Sequence, residues 1–229
     1  MRVVICSVIA VVGLVLLVVF AGCNGSFGTC CCKDMSLVFE TDFEDGSLWD
    51  WQATDPEAWR IENSSDGRIL ALYKQSSYKP EVRSPVNINL IKDVVVESFV
   101  LELKMHSTTK DHGHRDMCLF FGHQDPSHFY YVHIANQSDA HANSIFIVNG
   151  QPRVSIAKTR TEGTKWDDNW HTVRLERDVE KGTIEVFFDD GAKPIMTAVD
   201  HNFKWGKIGV GSFDDTGQYD EIRLLGQER

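Results

Sequence analysis

The last third of the chain alternates apolar and polar residues so regularly that it leaves little choice of secondary structure. Beyond Trp170-His171, Val173 and Leu175 alternate with Arg174 and Glu176, and Ile184, Val186 and Phe188 alternate with Glu185 and Phe187. Successive side chains of a strand point to opposite faces, so this period of two describes strands with one face on a core. Asp189-Asp190-Gly191 is the turn that follows, since Asp and Gly accept the backbone conformations of tight turns. Lys207-Ile-Gly-Val-Gly211-Ser-Phe213-Asp214-Asp215 and Tyr219-Asp-Glu-Ile222 carry the pattern onward.

Strand signals recur along the rest of the chain at the spacing of roughly 8 to 12 residues found in sandwiches and barrels. They are expected at Leu37 to Phe43, Trp59 to Glu62, Ile69 to Lys74, Val94 to Met105, Met117 to Gly122, Phe129 to Ala135, Ile145 to Val148, Arg153 to Ala157, Trp170 to Arg177, Thr183 to Phe188, Ile195 to Val199, Ile208 to Phe213 and Tyr219 to Leu225. Asn87 to Asp93 is read as one short turn of helix. Phe99, Leu101, Leu103 and Met105 share a parity opposite to Val100, Glu102 and Lys104, and the length of this strand suits the middle of a large sheet. So many strands can stack as two antiparallel sheets around one core. With 229 residues, 42% hydrophobic and 24% charged, the chain has an ordinary globular composition, and one β-domain is expected.

The N-terminal segment is of another kind. Met1-Arg2 precedes an apolar run from Val3 to Phe20, which ends Ala21-Gly22-Cys23. A positive start, a hydrophobic stretch and small residues before a cysteine resemble a bacterial lipobox. The expected organisation is a signal peptide over 1–22, a lipid-bearing Cys23 with a linker over 23–35, and the β-domain over 36–229. The alternative is an uncleaved membrane anchor, because Val3 to Gly22 is 20 residues long and about 20 suffice to span a bilayer. Either reading makes the protein exported and membrane-tethered, on the periplasmic side or at the cell surface. The other cysteines are Cys6, the run Cys30-Cys31-Cys32, and Cys118 in an apolar stretch, which is neither a disulfide framework nor zinc-type spacing.

A formal charge of −10 excludes nucleic acid as an expected partner, since phosphate binding needs an excess of Lys and Arg. Histidines are concentrated: eight of the nine lie between His106 and His171. The string His112-Gly-His114-Arg-Asp116 has metal-binding residue types in a charged loop, for which a solvated loop is the expected state. On Phe129-Tyr130-Tyr131-Val132-His133-Ile134, parity sends Tyr130, Val132 and Ile134 to the core and Tyr131 and His133 to the other face.

The order Trp-His-x-Val-Arg-Leu, then Gly-x-Ile-x-Val-x-x-Asp-Asp-Gly, then Gly-x-Ile-Gly-Val-Gly-Ser-Phe-Asp-Asp-Thr-Gly resembles the concanavalin A-like lectin/glucanase superfamily. Within it, the laminin-G-like jelly-roll domains of bacterial secreted proteins are most similar. The Gln124-Asp125-Pro126 turn before Phe-Tyr-Tyr-Val-His also resembles the related 3-keto-disaccharide hydrolase family. The resemblance implies an all-β, two-sheet antiparallel jelly-roll sandwich whose concave sheet carries a ligand on its open face. A glycan or polysaccharide is the implied partner. Tyr131 and His133 would meet it, with Arg174 and the His141 and Asn143 loop beside them, because a ring stacks on a pyranose and an imidazole bonds a hydroxyl. The same two residues, Tyr131 and His133, are the catalytic candidates if the protein is a polysaccharide-degrading hydrolase or lyase. The Glu-x-Asp-x-x-Glu strand of glycosidases in this superfamily is absent, which favours a lectin-like binding protein. The resemblance also implies a structural Ca²⁺ between the first and last strands, near Asp45 and Asp220, where oxygen ligands suit that ion.

Overall fold

The computed structural model describes residues 35–189 and 191–229. Sixteen strands follow one another among the described residues: β1 (Ser36–Thr41), β2 (Trp51–Ala53), β3 (Trp59–Asn63), β4 (Arg68–Leu72), β5 (Asn87–Ile91), β6 (Val96–Ser107), β7 (Asp116–Asp125) and β8 (His128–Ala135), then β9 (Ser144–Asn149), β10 (Val154–Ser155), β11 (Ala157–Arg160), β12 (His171–Asp178), β13 (Thr183–Phe188), β14 (Met196–Val199), β15 (Lys207–Ser212) and β16 (Gly217–Glu228). Nine form one sheet in the order β11-β14-β13-β12-β6-β16-β4-β3, with β1 paired to the far half of β16. Seven form the other, β10-β9-β8-β7-β15-β5-β2. The pairings are antiparallel, as expected of chains whose neighbours join through short turns. As its length predicted, β6 is internal, flanked by β12 and β16.

Between the sheets lies the core forecast by parity. Leu101, Leu103 and Met105 of β6, Val173 and Leu175 of β12, and Ile184 and Val186 of β13 face Met117, Leu119 and Phe121 of β7 and Tyr130, Val132 and Ile134 of β8. Tyr219 ties the layers together by donating its buried hydroxyl to Gly211 O, 2.7 Å away. The buried guanidinium of Arg177 finds acceptors in the backbone carbonyls of Gly182, Asp200 and Phe203, so its charge carries no orphaned donor penalty.

Two expectations need correction. Asn87 to Asp93 is not a helical turn: Asn87–Ile91 is β5, buried along its whole length, with Ile88 and Leu90 outward and Ile91 in the core. The polar residue that disguised it, Asn87, accepts from Ser76 N at 2.7 Å and donates to Asp215 O at 3.3 Å. The single strand expected over Arg153 to Ala157 is divided, since Val154–Ser155 joins β9 in one sheet while Ala157–Arg160 joins β14 in the other.

The outer faces of the two sheets differ. That of the nine-stranded sheet is wet, with Glu102, Lys104, Arg174 and Glu176 at least partly exposed. That of the seven-stranded sheet carries a second apolar layer of Ile88, Leu90, Cys118, Phe120, Phe129, Tyr131, Phe146 and Val148. The segment 73–86 runs over it, packs Val82 on it, and is held by hydrogen bonds from Arg153 N to Arg83 O and from Val86 N to Phe213 O, both 3.1 Å. Gly211 is fixed by this layering: a Cβ there would meet Asn87 O at 1.9 Å and the Phe120 ring at 3.0 Å.

Candidate ligand groove

Tyr131 and His133 lie on the side that parity assigned, but the side is closed. Their exposures are 0% and 4%. Tyr131 stacks on Phe146 (5.1 Å, 13°) and accepts a 2.8 Å hydrogen bond from Arg153 Nη1. Burial pushes its phenol well above the ordinary value, so it stays protonated and offers no base. Arg153 completes the cover, its guanidinium 4.1 Å from the Phe213 ring and 5.0 Å from that of Phe146. The expected open face is therefore corrected at these two residues: segment 73–86 and Arg153 occupy it.

The remaining candidates are scattered. Arg174 belongs to the other sheet, with its guanidinium 4.2 Å over Phe187 and its Nε 3.1 Å from Glu176, so it does not meet Tyr131 or His133. His141 is exposed, and it is its backbone carbonyl that receives His133 Nδ1 (3.0 Å). Asn143 is fully buried, with a left-handed φ of 48°, and donates to Thr161 O at 3.0 Å, which makes it a loop fastener. His112 and His114 part, His112 pairing with Asp215 and His114 with Asp139, while Asp116 is fully buried at the start of β7 and so is not part of a solvated loop. His171 is buried at a sheet end between Asp189 and Asp167, stacked on Phe188 at 4.6 Å. Asp45 Oδ1 accepts from Ser47 N within its own turn, and Asp220 Oδ1 from Glu221 N. Among the described residues, the groups of metal-ligand side chains that converge are Asp116, Cys118, His133 and Asp116, Asp214, Asp215, and they include neither Asp45 nor Asp220. Cys23 falls outside the described residues.

One end of the same outer face stays open. A groove of 320 Å³ is bounded by Gln52 of β2, Ile88 and Leu90 of β5, His123 and Asp125 of β7, Lys207 of β15, and Tyr78 of the covering segment. Parity alone would send His123 inward. Gly122, in the left-handed region at φ 57°, makes a bulge in β7 that shifts the register between Phe121 and Asp125 and turns His123 outward, where it stacks on Phe129 at 5.2 Å. A glycine inside a strand pattern was the signal for this. Burial pushes the His123 imidazole down to about 4, with Asp125 opposing the shift, so it is neutral near pH 7.

Around an apolar floor, the groove sets groups of both hydrogen-bonding senses. Lys207 Nζ donates to Gln52 Oε1 at 2.9 Å, which leaves the Gln52 amide nitrogen and the remaining ammonium hydrogens for a ligand. Burial would raise the Asp125 carboxyl, but hydrogen bonds from Ser127 N and His128 outweigh it and hold the group below its ordinary value. Among the described residues it is the only carboxylate lining the groove. A second cavity, of 390 Å³, lies among Asp111, His112, Asn136, Gln137, Lys165 and Trp166. There the indole is buried and its Nε1 is engaged by Ile134 O at 2.9 Å, so the ring offers no free face.

Comparison with solved structures gives a place to this architecture of two antiparallel sheets, a continuous core and a partly open outer face. The fold is a concanavalin A-like jelly-roll sandwich. The chain is similar to the carbohydrate-binding module CBM66 from Bacillus subtilis, at 15% identity over 76% of this chain and 93% of that one, with a TM-score of 0.53. Domain 4 of an extracellular GH43 arabinanase from Geobacillus stearothermophilus, solved with arabinotriose, gives 12% identity over 86% and 95%, with a TM-score of 0.56. The winged bean acidic lectin, solved with methyl-α-D-galactose, gives 10% over 86% and 100%, with a TM-score of 0.57. No family model and no curated protein matches the chain.

Proposed function

We propose that this sandwich is a carbohydrate-binding module that takes a glycan in the groove between Tyr78, His123 and Lys207. The observation that carries the reading is the groove itself: an apolar floor of Ile88 and Leu90, a half-buried tyrosine ring, and polar groups of both senses on one face of the sheet. A sugar ring has an apolar face for the floor or the tyrosine and hydroxyls for the amide, imidazole, ammonium and carboxylate. That the similar folds include a carbohydrate-binding module and two domains solved with sugars supports the reading. Hydrolysis gains nothing from this geometry, because glycoside hydrolysis calls on two carboxyl groups and the groove offers Asp125 alone. We also propose export and membrane tethering, through lipid at Cys23 or an uncleaved anchor, supported by the apolar run ending Ala21-Gly22-Cys23.

A glycan array followed by calorimetry on the best ligand tests the binding reading. Tyr78→Ala is expected to weaken that ligand by about threefold to tenfold while leaving the circular dichroism unchanged, and a reducing-sugar assay should register no release. Equal affinity in Tyr78→Ala and Lys207→Ala variants would place any ligand elsewhere. Fatty-acid labelling lost in Cys23→Ala checks the lipid.

A further inference from the structure

At the end of the seven-stranded sheet far from the β7–β8 turn, three ligand-type side chains converge in the dry layer. Asp116 and Cys118 are two apart on β7 and share its outer face, and Cys118 is the register partner of His133 on β8. Asp116 Oδ2 lies 3.3 Å from Cys118 Sγ and 3.2 Å from His133 Nε2. All three are buried, at 0%, 0% and 4% exposure.

The protonation of His133 makes this cluster unusual. Its Nδ1 is 3.0 Å from the carbonyl oxygen of His141, which can only accept, so Nδ1 carries the hydrogen. Nε2 is buried 3.2 Å from an Asp116 carboxylate oxygen yet has no hydrogen-bond partner. A buried ring nitrogen aimed at a carboxylate calls for a cation shared between them, a proton or a metal ion. A proton on Nε2 would call for an aligned N–H···O bond to Asp116, which the geometry lacks. A metal ion needs no such alignment. A histidine that gives its other ring N–H to a backbone carbonyl is also the usual second-shell arrangement of a metal ligand.

We propose that Asp116, Cys118 and His133 hold a structural zinc ion. Zinc bonds of about 2.0 to 2.3 Å place tetrahedral ligand atoms about 3.3 to 3.5 Å apart, and the two separations here are 3.3 and 3.2 Å. The Asp214 carboxylate lies within 4.8 Å of those of Asp116 and Asp215 and is exposed, but it does not converge with Cys118 and His133. Asp215 is already committed to Asp116 N and His112. Thiolate, imidazole and carboxylate together select zinc and exclude calcium, whose ligands are all oxygen. The ion would clamp β7 to β8.

The test uses the full-length chain with Cys6, Cys23, Cys30, Cys31 and Cys32 all replaced by Ser, so that Cys118 is the only thiol. Zinc alone, added and then dialysed, should be retained at one equivalent by elemental analysis. Cobalt alone should give thiolate charge-transfer absorption with tetrahedral ligand-field bands. Zinc should raise the melting temperature until one equivalent is bound. Cys118→Ser and His133→Gln should each abolish the cobalt absorption. No retained zinc and no cobalt absorption in a protein with native β-type circular dichroism would overturn the site, as would full metal binding by Cys118→Ser. If either variant fails to fold, the titration of the single-thiol protein decides by itself.

Discussion

On the nine-stranded sheet, the outward residues of β6 and β12 include Glu102, Lys104, Arg174 and Glu176; on the seven-stranded sheet, those of β7 and β8 include Cys118, Phe120, Phe129 and Tyr131. Both sheets turn an apolar face to the shared core. Their outer faces part because the second sheet is covered again, by segment 73–86 and Arg153. A strand with one wet face shows alternation, whereas a strand covered on both sides reads as a continuous apolar run. Met117-Cys-Leu-Phe-Phe121 and Phe129-Tyr-Tyr-Val132 are such runs, and they signal a buried sheet face more than an open binding surface.

The sharpest way to break this contrast is to hollow the covered face. Phe120 is fully buried outside the main core, in contact with Phe129 and Tyr131. Phe120→Ala should cost about 3 to 5 kcal/mol in denaturant unfolding, as for a core phenylalanine. A cost below about 1 kcal/mol would mean that the face is open to water and that Tyr131 and His133 are available after all.

Where one face is solvated, the sequence was sufficient: β6, β12 and β13 stand where parity put them, and so do the inner residues of β8 on the covered sheet. Three features escaped it for identifiable reasons. The pairing of Asn87 with Ser76 and Asp215 is a long-range satisfaction of a polar side chain inside a buried strand, which local pattern cannot show. Tyr78 enters the groove from a segment without periodicity, whose course depends on Arg83 meeting Arg153 far along the chain. His123 was reversed by a single bulge, and Gly122 was the only local sign of it. Tyr131 and His133 were correctly placed on the outer face, but exposure depends on what else packs there, and a strand's own residues do not encode its cover.

His123 sits at the border between covered and open halves of that face, and pH probes its position. Burial holds its folded pKa at about 4, below the ordinary 6.5. Under pH 6.5 the unfolded chain therefore takes up a proton that the folded chain refuses. The contribution to stability is intact above that pH and is lost progressively as pH falls toward 4, by up to about 3 kcal/mol. His123→Gln should flatten this part of the stability profile, measured by urea midpoints between pH 4 and 7. An unchanged slope in the variant would mean that the ring is solvated and belongs wholly to the open half.

Arg153 tests the cover from above. Its guanidinium lies over Phe213 and Phe146 and donates to Tyr131 Oη. Arg153→Ala should cost about 1 to 2 kcal/mol, combining a partly desolvated cation–π contact with an orphaned phenol. In the Tyr131→Phe background the cost should fall by about 1 kcal/mol, because the partner that loses its donor is gone. Simple additivity of the two substitutions would show that the hydrogen bond contributes nothing to holding the cover.

The smallest effect is expected on the wet sheet, and it completes the contrast. Arg174 is one of the residues that sequence reasoning offered as a ligand contact, yet it stands on the outer face of β12 beside Glu102 in register and Glu176 along the strand. Its side chain is 35% exposed, so the Glu176 pair is screened by water, and its stacking on Phe187 covers only one side of the guanidinium. Arg174→Ala should therefore change stability by about 0.5 kcal/mol or less. It should also leave glycan affinity untouched, since the groove opens on the other sheet. A variant that keeps its stability but loses affinity would move the binding surface to the nine-stranded sheet, where the exposed Trp170, its ring tilted against that of His106 at 5.4 Å, is the aromatic that such a surface would use.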